Sequence, residues 1–226
     1  MEVTEDRMRV LSFVLVAALA LASLTGCAAK SAKMTMAAGA GVGQCDYDPK
    51  DRNIFAGTVD AGDTCVGLVG RVRMDQEPPK RLIPEKGDPV IPVSNGPFGE
   101  LGYFDLGETT FDGTWMGTPD TGTIKATAFH AAVGYGYPLT RRLGIFGRVG
   151  YAFWDVDEDE IFDGVPYSQS SSGSDLLYAA GFNVGLSRRW VLDVGWTRYQ
   201  DVGEVEQTGQ GDVDMISATV LYRFGR

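Results

Sequence analysis

The sequence predicts an all-β fold: an eight-stranded antiparallel up-and-down transmembrane β-barrel. Three observations lead there. Apolar residues recur at every second position in eight segments of about ten residues. Every charge inside those segments lies on the opposite parity. Beyond the N-terminal region, no stretch approaches the ~18 uninterrupted apolar residues that a spanning helix needs.

Composition narrows the classes further. The 226 residues carry a formal net charge of −10, with 44% hydrophobic residues, 11% aromatics and 30 glycines. An acidic chain lacks the basic footprint of a nucleic-acid partner. The aromatic content argues against a disordered chain. One His and three Cys are too few for a His/Cys zinc cluster, and neither a cofactor nor a resident metal is expected.

Residues 1–26 read as a signal peptide. The run from Val10 to Leu21 is apolar, follows Arg7 and Arg9, and ends in small residues, a layout of export rather than of a lasting span. Its end, Leu24-Thr25-Gly26-Cys27, resembles the bacterial lipobox, and that resemblance implies lipidation at Cys27. Cleavage at a nearby small residue such as Ala29 is the alternative. Removing this segment leaves 18 basic and 27 acidic side chains. Residues 27–33 are then a short tether, and 34–226 the barrel.

The strands follow in order. Met34, Met36 and Val42 alternate with Thr35, Gly39, Gly41 and Gly43. Val66, Leu68 and Val72 alternate with Gly67, Arg71 and Arg73. Leu101 and Tyr103 alternate with Glu100, Gly102 and Phe104. Phe129, Val133, Tyr135 and Tyr137 alternate with His130, Gly134 and Gly136. Ile145, Val149, Tyr151 and Phe153 alternate with Phe146, Arg148 and Gly150. Leu176, Tyr178 and Phe182 alternate with Leu177, Gly181 and Asn183. Leu192, Val194 and Trp196 alternate with Asp193, Gly195 and Thr197. Ile216, Val220, Tyr222 and Phe224 alternate with Ser217, Thr219 and Arg223.

Alternation alone also fits a soluble up-and-down barrel, so the choice rests on what else each face carries. The charged face is loaded with Gly, as a narrow lumen holding a few long side chains requires. Aromatics sit near both ends of the apolar face, with Tyr137, Tyr222 and Phe224 at one end and Tyr103, Phe153, Tyr178 and Trp196 at the other. Short connections (Thr140–Leu143, Ser187–Arg189) alternate with long polar ones at Asp46–Thr64, Glu108–Thr123, Asp155–Ser174 and Asp201–Asp212. The expected arrangement has short turns at the periplasmic face and acidic loops outside. The acidic run Asp155–Pro166 departs from a calcium loop, with Glu160 in place of the required Gly and Pro166 in place of the closing Glu.

The residues also carry a family resemblance. Gly136-Tyr137-Pro138-Leu139-Thr140, Phe146-Gly147-Arg148-Val149-Gly150 and the closing Leu221-Tyr222-Arg223-Phe224-Gly225 resemble the OmpA-type outer-membrane β-barrel, as do Glu100–Gly107 and Gly39–Gly43. The resemblance covers about residues 34–226. It implies the outer membrane of a Gram-negative bacterium, surroundings of outer-membrane lipid and lipopolysaccharide, and a C-terminal strand read by the barrel-assembly machinery. It also implies a non-enzymatic monomer serving envelope integrity and surface interaction. The family's lumen contains a charge cluster sometimes read as a gate, and Glu100 and Arg148 match its inward positions. Gly134, Asn183 and Asp193 depart from that pattern. The plainer reading is that Arg71, Arg73, Glu100, Arg148, Asp193 and Arg223 neutralise one another and fill the lumen.

Two functional alternatives stay open at this stage: a narrow porin-like channel, and a lipid A-modifying barrel enzyme. For the latter, the single His130 faces the lumen, away from acyl chains. The connection 75–97 holds six of the ten prolines and reads as a polyproline-like tether or as a docking site for a periplasmic partner. Finally, Cys45 and Cys65 are the pair left over beside Cys27. In an exported chain, both on lumen parity at the outer rim of neighbouring strands, they are expected to form a disulfide.

Overall fold

The computed structural model describes residues 33–50, 55–60, 62–76, 95–204 and 209–224. The signal peptide, Cys27 and most of the Pro-rich connection lie outside the described residues. The elements are β1 (Lys33–Pro49), β2 (Phe55–Asp60), β3 (Gly62–Asp75), β4 (Gly96–Trp115), β5 (Thr118–Pro138), β6 (Leu143–Phe162), β7 (Val165–Gly185), β8 (Trp190–Glu204) and β9 (Gly209–Phe224). Every pairing is antiparallel, the order runs β2-β4-β3-β1-β9-β8-β7-β6-β5, and β4–β5 pairing closes the ring.

Among the described residues, nine strands make eight staves. β2 and β3 both lie antiparallel to β4, with Asp60 opposite Thr110 and Val66 opposite Asp105. They are one stave, whose described pairing with β4 stops at Asp60 and resumes at Val66. The interruption faces an irregularity in β4 between Asp105 and Glu108. There Gly107 adopts φ +88°, and a Cβ on it would stand 2.8 Å from the Asp63 side chain. The Asp63 carboxylate accepts from the Glu108 amide at 2.8 Å, and Asp105 accepts from the Gly107 amide at 3.0 Å. Two aspartates thus satisfy the amides that the irregularity releases.

The apolar face points outward. Leu68, Val133, Val149, Phe182 and Ile216 are exposed, whereas the opposite parity is buried in the lumen. Aromatic pairs mark both ends: Trp190 packs edge-on against Tyr222 at 4.9 Å and Tyr222 against Phe224 at 5.1 Å, while at the other end Tyr178 meets Trp196 at 5.5 Å. No helix among the described residues is long and apolar enough to cross a membrane. Strands do the crossing.

The expected outer loops need correction. Most of Glu108–Thr123 and Asp155–Ser174 is strand, with β4–β5 and β6–β7 continuing to two-residue turns at Met116-Gly117 and Asp163-Gly164. Both residues of each turn have positive φ, the geometry whose twist matches the flanking strands. Likewise β1 runs on to Pro49, and β2 occupies part of 46–64.

Candidate functional site in the barrel lumen

Glu100 is the hub of the lumen. It sits on β4, 2% exposed, opposite Arg71 of β3 in the strand register. Arg71 donates from Nε to Glu100 Oε2 at 2.8 Å and from Nη1 to Asp193 Oδ2 at 2.6 Å. Asp193 belongs to β8, so this one guanidinium ties β4 to a stave across the ring. Arg148 of β6 donates to Glu100 Oε1 and, through Nη2, to Thr197 Oγ1 of β8 at 3.0 Å. Two arginines thereby face two carboxylates, and the cluster is balanced in charge.

His130 completes the hub from β5. Its Nε2 lies 3.2 Å from Glu100 Oε1 and its Nδ1 3.3 Å from the Tyr199 hydroxyl. Both contacts are hydrogen bonds when Nε2–H donates to the carboxylate and the phenol donates to Nδ1. Phe104 stacks on the imidazole at a centroid distance of 5.6 Å. The neighbours of His130 are thus a carboxylate, a phenol and a phenyl ring, which make it a link in a network.

Aromatic rings insulate the charges. The Arg71 guanidinium lies 4.6 Å from the Phe98 ring centre and 5.8 Å from that of Phe146, which Arg148 also approaches at 6.0 Å. Such stacking offsets part of the desolvation of a cation. The glycines of the charged face make room for these rings. A Cβ on Gly67 would stand 2.3 Å from Phe104, and one on Gly102 would stand 2.6 Å from His130.

The structure therefore joins Arg71, Glu100, Arg148 and Asp193. It sends Arg73 to Asp75 at 2.6 Å instead. Arg223 lines the same cleft as Arg71 and Arg73, toward the short-turn end. Cys45 and Cys65 form the expected disulfide, with Cα atoms 5.9 Å apart. Cys45 stands opposite Asp63 and Cys65 opposite Gly43, so the bridge runs diagonally and not between directly paired residues. Its position is inside the lumen, both cysteines being buried. Sequence reasoning passed over Tyr199, although it lies on the parity of Asp193 and Thr197, which was sufficient to find it.

Beyond the aromatic level the charges change character. Lys125 pairs with Glu108 at 3.3 Å on the exposed outer surface. Asp155, Asp157 and Asp159 also face outward, whereas Glu158 and Glu160 of β6 share the inward parity with Asp120 of β5. Burial, then a hydrogen bond and the charge of Asp120, then Glu158, push the Glu160 carboxyl up to about 7.

Comparison with known proteins gives this geometry its family. The model for the outer membrane protein beta-barrel domain matches residues 13–224. The chain belongs to that family. It is 28% identical to outer membrane protein A of Klebsiella pneumoniae over 130 residues, 56% of this chain and 37% of that one. Against outer membrane protein A of Escherichia coli O157:H7 the identity is again 28%, over 56% of this chain and 35% of the relative. The chain thus matches little more than a third of the length of these curated relatives. Among solved structures it is similar to the outer membrane protein OprG of Pseudomonas aeruginosa, with TM-score 0.49 and 13% identity, covering 87% of this chain and 98% of that one. The attachment invasion locus protein Ail of Yersinia pestis gives 0.47 and 14%, covering 84% and 99%. As an OmpA-like barrel of this family, the protein resides in the outer membrane of a Gram-negative bacterium.

Proposed function

We propose that this barrel is a non-enzymatic monomer that supports envelope integrity and presents an acidic surface for interaction, with its short turns at the periplasmic end. The observation that carries this reading is the Glu100 hub. Arg71 spans from Glu100 to Asp193 while Arg148 spans from Glu100 to Thr197, so buried side chains from four staves meet across the lumen. An eight-stranded barrel has an interior that side chains largely fill. A plugged lumen leaves the strand ends as the working surface, and the ends opposite the short turns are acidic.

The same reading includes lipidation at Cys27, delivery through the barrel-assembly machinery by the C-terminal strand, and a periplasmic partner for 75–97. It is tested in planar bilayers and in a deletion strain. The refolded protein is expected to give no sustained unitary conductance, and its loss is expected to sensitise cells to detergent and chelator. Steady single-channel steps would favour the narrow pore, and altered lipid A in the deletion strain would favour the enzyme. Either result overturns the proposal.

A further inference from the structure

Two turns at one end of the barrel are copies of each other. Leu139-Thr140-Arg141-Arg142-Leu143 joins β5 to β6, and Leu186-Ser187-Arg188-Arg189-Trp190 joins β7 to β8. In the first, the amides of Leu139 and Thr140 both donate to the Leu143 carbonyl at 2.9 Å; in the second, those of Leu186 and Ser187 donate to Trp190 at 3.0 and 3.1 Å. The hydroxyl then repeats the pattern. Thr140 Oγ1 accepts from the amides of Arg142 and Leu143 at 3.2 and 3.0 Å, and Ser187 Oγ from those of Arg189 and Trp190 at 3.3 and 3.2 Å. Each turn is locked by its own Thr or Ser, and each displays an Arg-Arg pair at its exposed tip.

The two turns also form one surface. Gly185, at the start of the second, donates its amide to the Arg142 carbonyl of the first at 2.7 Å, and Arg223 of β9 donates to Arg189 at 2.8 Å. Four exposed arginines therefore follow one another along one arc of the rim. Their depth is set by apolar neighbours. Leu139, Leu186 and Trp190 are exposed at the same level, and Arg189 donates from Nη1 to the Tyr222 hydroxyl at 2.8 Å with its guanidinium 6.0 Å from that ring. Trp and Tyr rings of this kind sit at the headgroup level of a bilayer, and arginines beside them reach the phosphates.

We propose that the twin Arg-Arg turns bind the phosphates of anionic glycerophospholipids, phosphatidylglycerol foremost, in the leaflet that surrounds the short-turn end. Charge complementarity selects this occupant: a zwitterionic lipid brings an ammonium that opposes the guanidiniums, and an anionic one does not. The exposed Leu and Trp point to a lipid, because a soluble anion would leave them in water. The far end of the barrel is acidic, so the preference is confined to one rim. Calling that leaflet periplasmic rests on the orientation proposed above.

Native mass spectrometry of the refolded protein in micelles doped equally with phosphatidylglycerol and phosphatidylethanolamine reads the preference directly. Each arginine near an anionic surface contributes roughly a fivefold preference. The protein is expected to retain phosphatidylglycerol in at least fivefold excess, and R141Q/R142Q/R188Q/R189Q to retain both lipids equally. D155N/D157N/D159N at the opposite end changes net charge by three in the opposite sense and is expected to keep the excess. Equal retention by the unaltered protein, an excess that survives in the quadruple variant, or an excess lost in the outer-end variant would each overturn the proposal. If the quadruple variant fails to fold, R141Q/R142Q and R188Q/R189Q decide separately, each expected to reduce the excess. Micelles impose no orientation, so a failed orientation is distinguished by protease access to the turns in intact cells.

Discussion

The membrane-spanning band and the outer strand ends of this barrel obey different chemistry along the same strands. β5 carries both. Around Val133 one face meets lipid and the other, through His130, meets the Glu100 hub. Ten residues away, at Thr123, both faces carry polar side chains: Lys125 outward, and Asp120 inward among the carboxylates of β6. In the band, polar groups are few, buried and shared between staves, because lipid lies on one face and packed side chains on the other. In the ends they are many, exposed on the outer face and crowded together on the inner one. A charge in the band is therefore structural, while one at the end is available to a partner.

The largest expected effect lies at the hub. Glu100→Ala removes one of the two carboxylates and leaves Asp193 alone to balance the buried Arg71 and Arg148. Breaking a buried ion pair from one side costs about 3–5 kcal/mol. Glu108→Ala, on the same strand beyond the band, removes only an exposed pair with Lys125 and is expected to cost less than about 1 kcal/mol. Urea unfolding in lipid vesicles measures both. Equal losses would erase the distinction between the two regions.

The lipid face gives the next comparison. Val133→Arg is expected to cost about 2–4 kcal/mol, and Thr123→Arg, on the same face of the same strand, close to nothing. Heat-modifiable migration of membrane fractions reports assembly of each. Equal tolerance would mean that the band does not end between them.

The disulfide sits at the boundary and adds about 3 kcal/mol by the chain-entropy model for a separation of 20 residues. Cys65→Ser is expected to lose that amount, and thiol labelling of the denatured, unreduced protein to find neither Cys45 nor Cys65 free. Quantitative labelling of both would remove the covalent tie between β1 and β3.

How far each region was legible in sequence follows from the same contrast. In the band, lipid demands one apolar face, so the period-2 pattern around Val133 or Phe182 is strong and gave strand, face and lumen charges together. Beyond it no such demand exists. Asp155–Glu160 alternates between water and a polar concavity, carries no apolar period, and reads as a loop although it is the outer half of β6. The one local signal there was Asp163-Gly164, the dipeptide of a two-residue hairpin turn. Within the lumen, parity located Arg71, Glu100 and Asp193. It could not tell that Arg73 turns to Asp75, since partner choice depends on the stagger of the closed ring.

The smallest effect is a pH dependence confined to the outer end. Asp120, Glu158 and Glu160 lie on inward positions of β5 and β6, and all three carboxyls are pushed up by burial. Gln169 of β7 opposes that for Glu158 by donating to its carboxylate at 2.9 Å. For Glu160, raised to about 7, the folded state holds a proton that the unfolded chain releases near its ordinary value of 4.5. Protonation favours the folded end, so its stabilisation is full below about 4.5 and fades as pH rises through 7. Above that, Asp120 and Glu160 both carry charge, and the β5–β6 tip loosens. Amide hydrogen exchange at residues 118–124 and 158–164, corrected for intrinsic rates, is expected to quicken between pH 5 and pH 8 while residues 129–135 stay protected. Glu160→Gln holds the neutral form at every pH and is expected to flatten that dependence. A tip whose protection is constant over this range, or one that tightens as the carboxyls ionise, would place the carboxylates too far apart to interact.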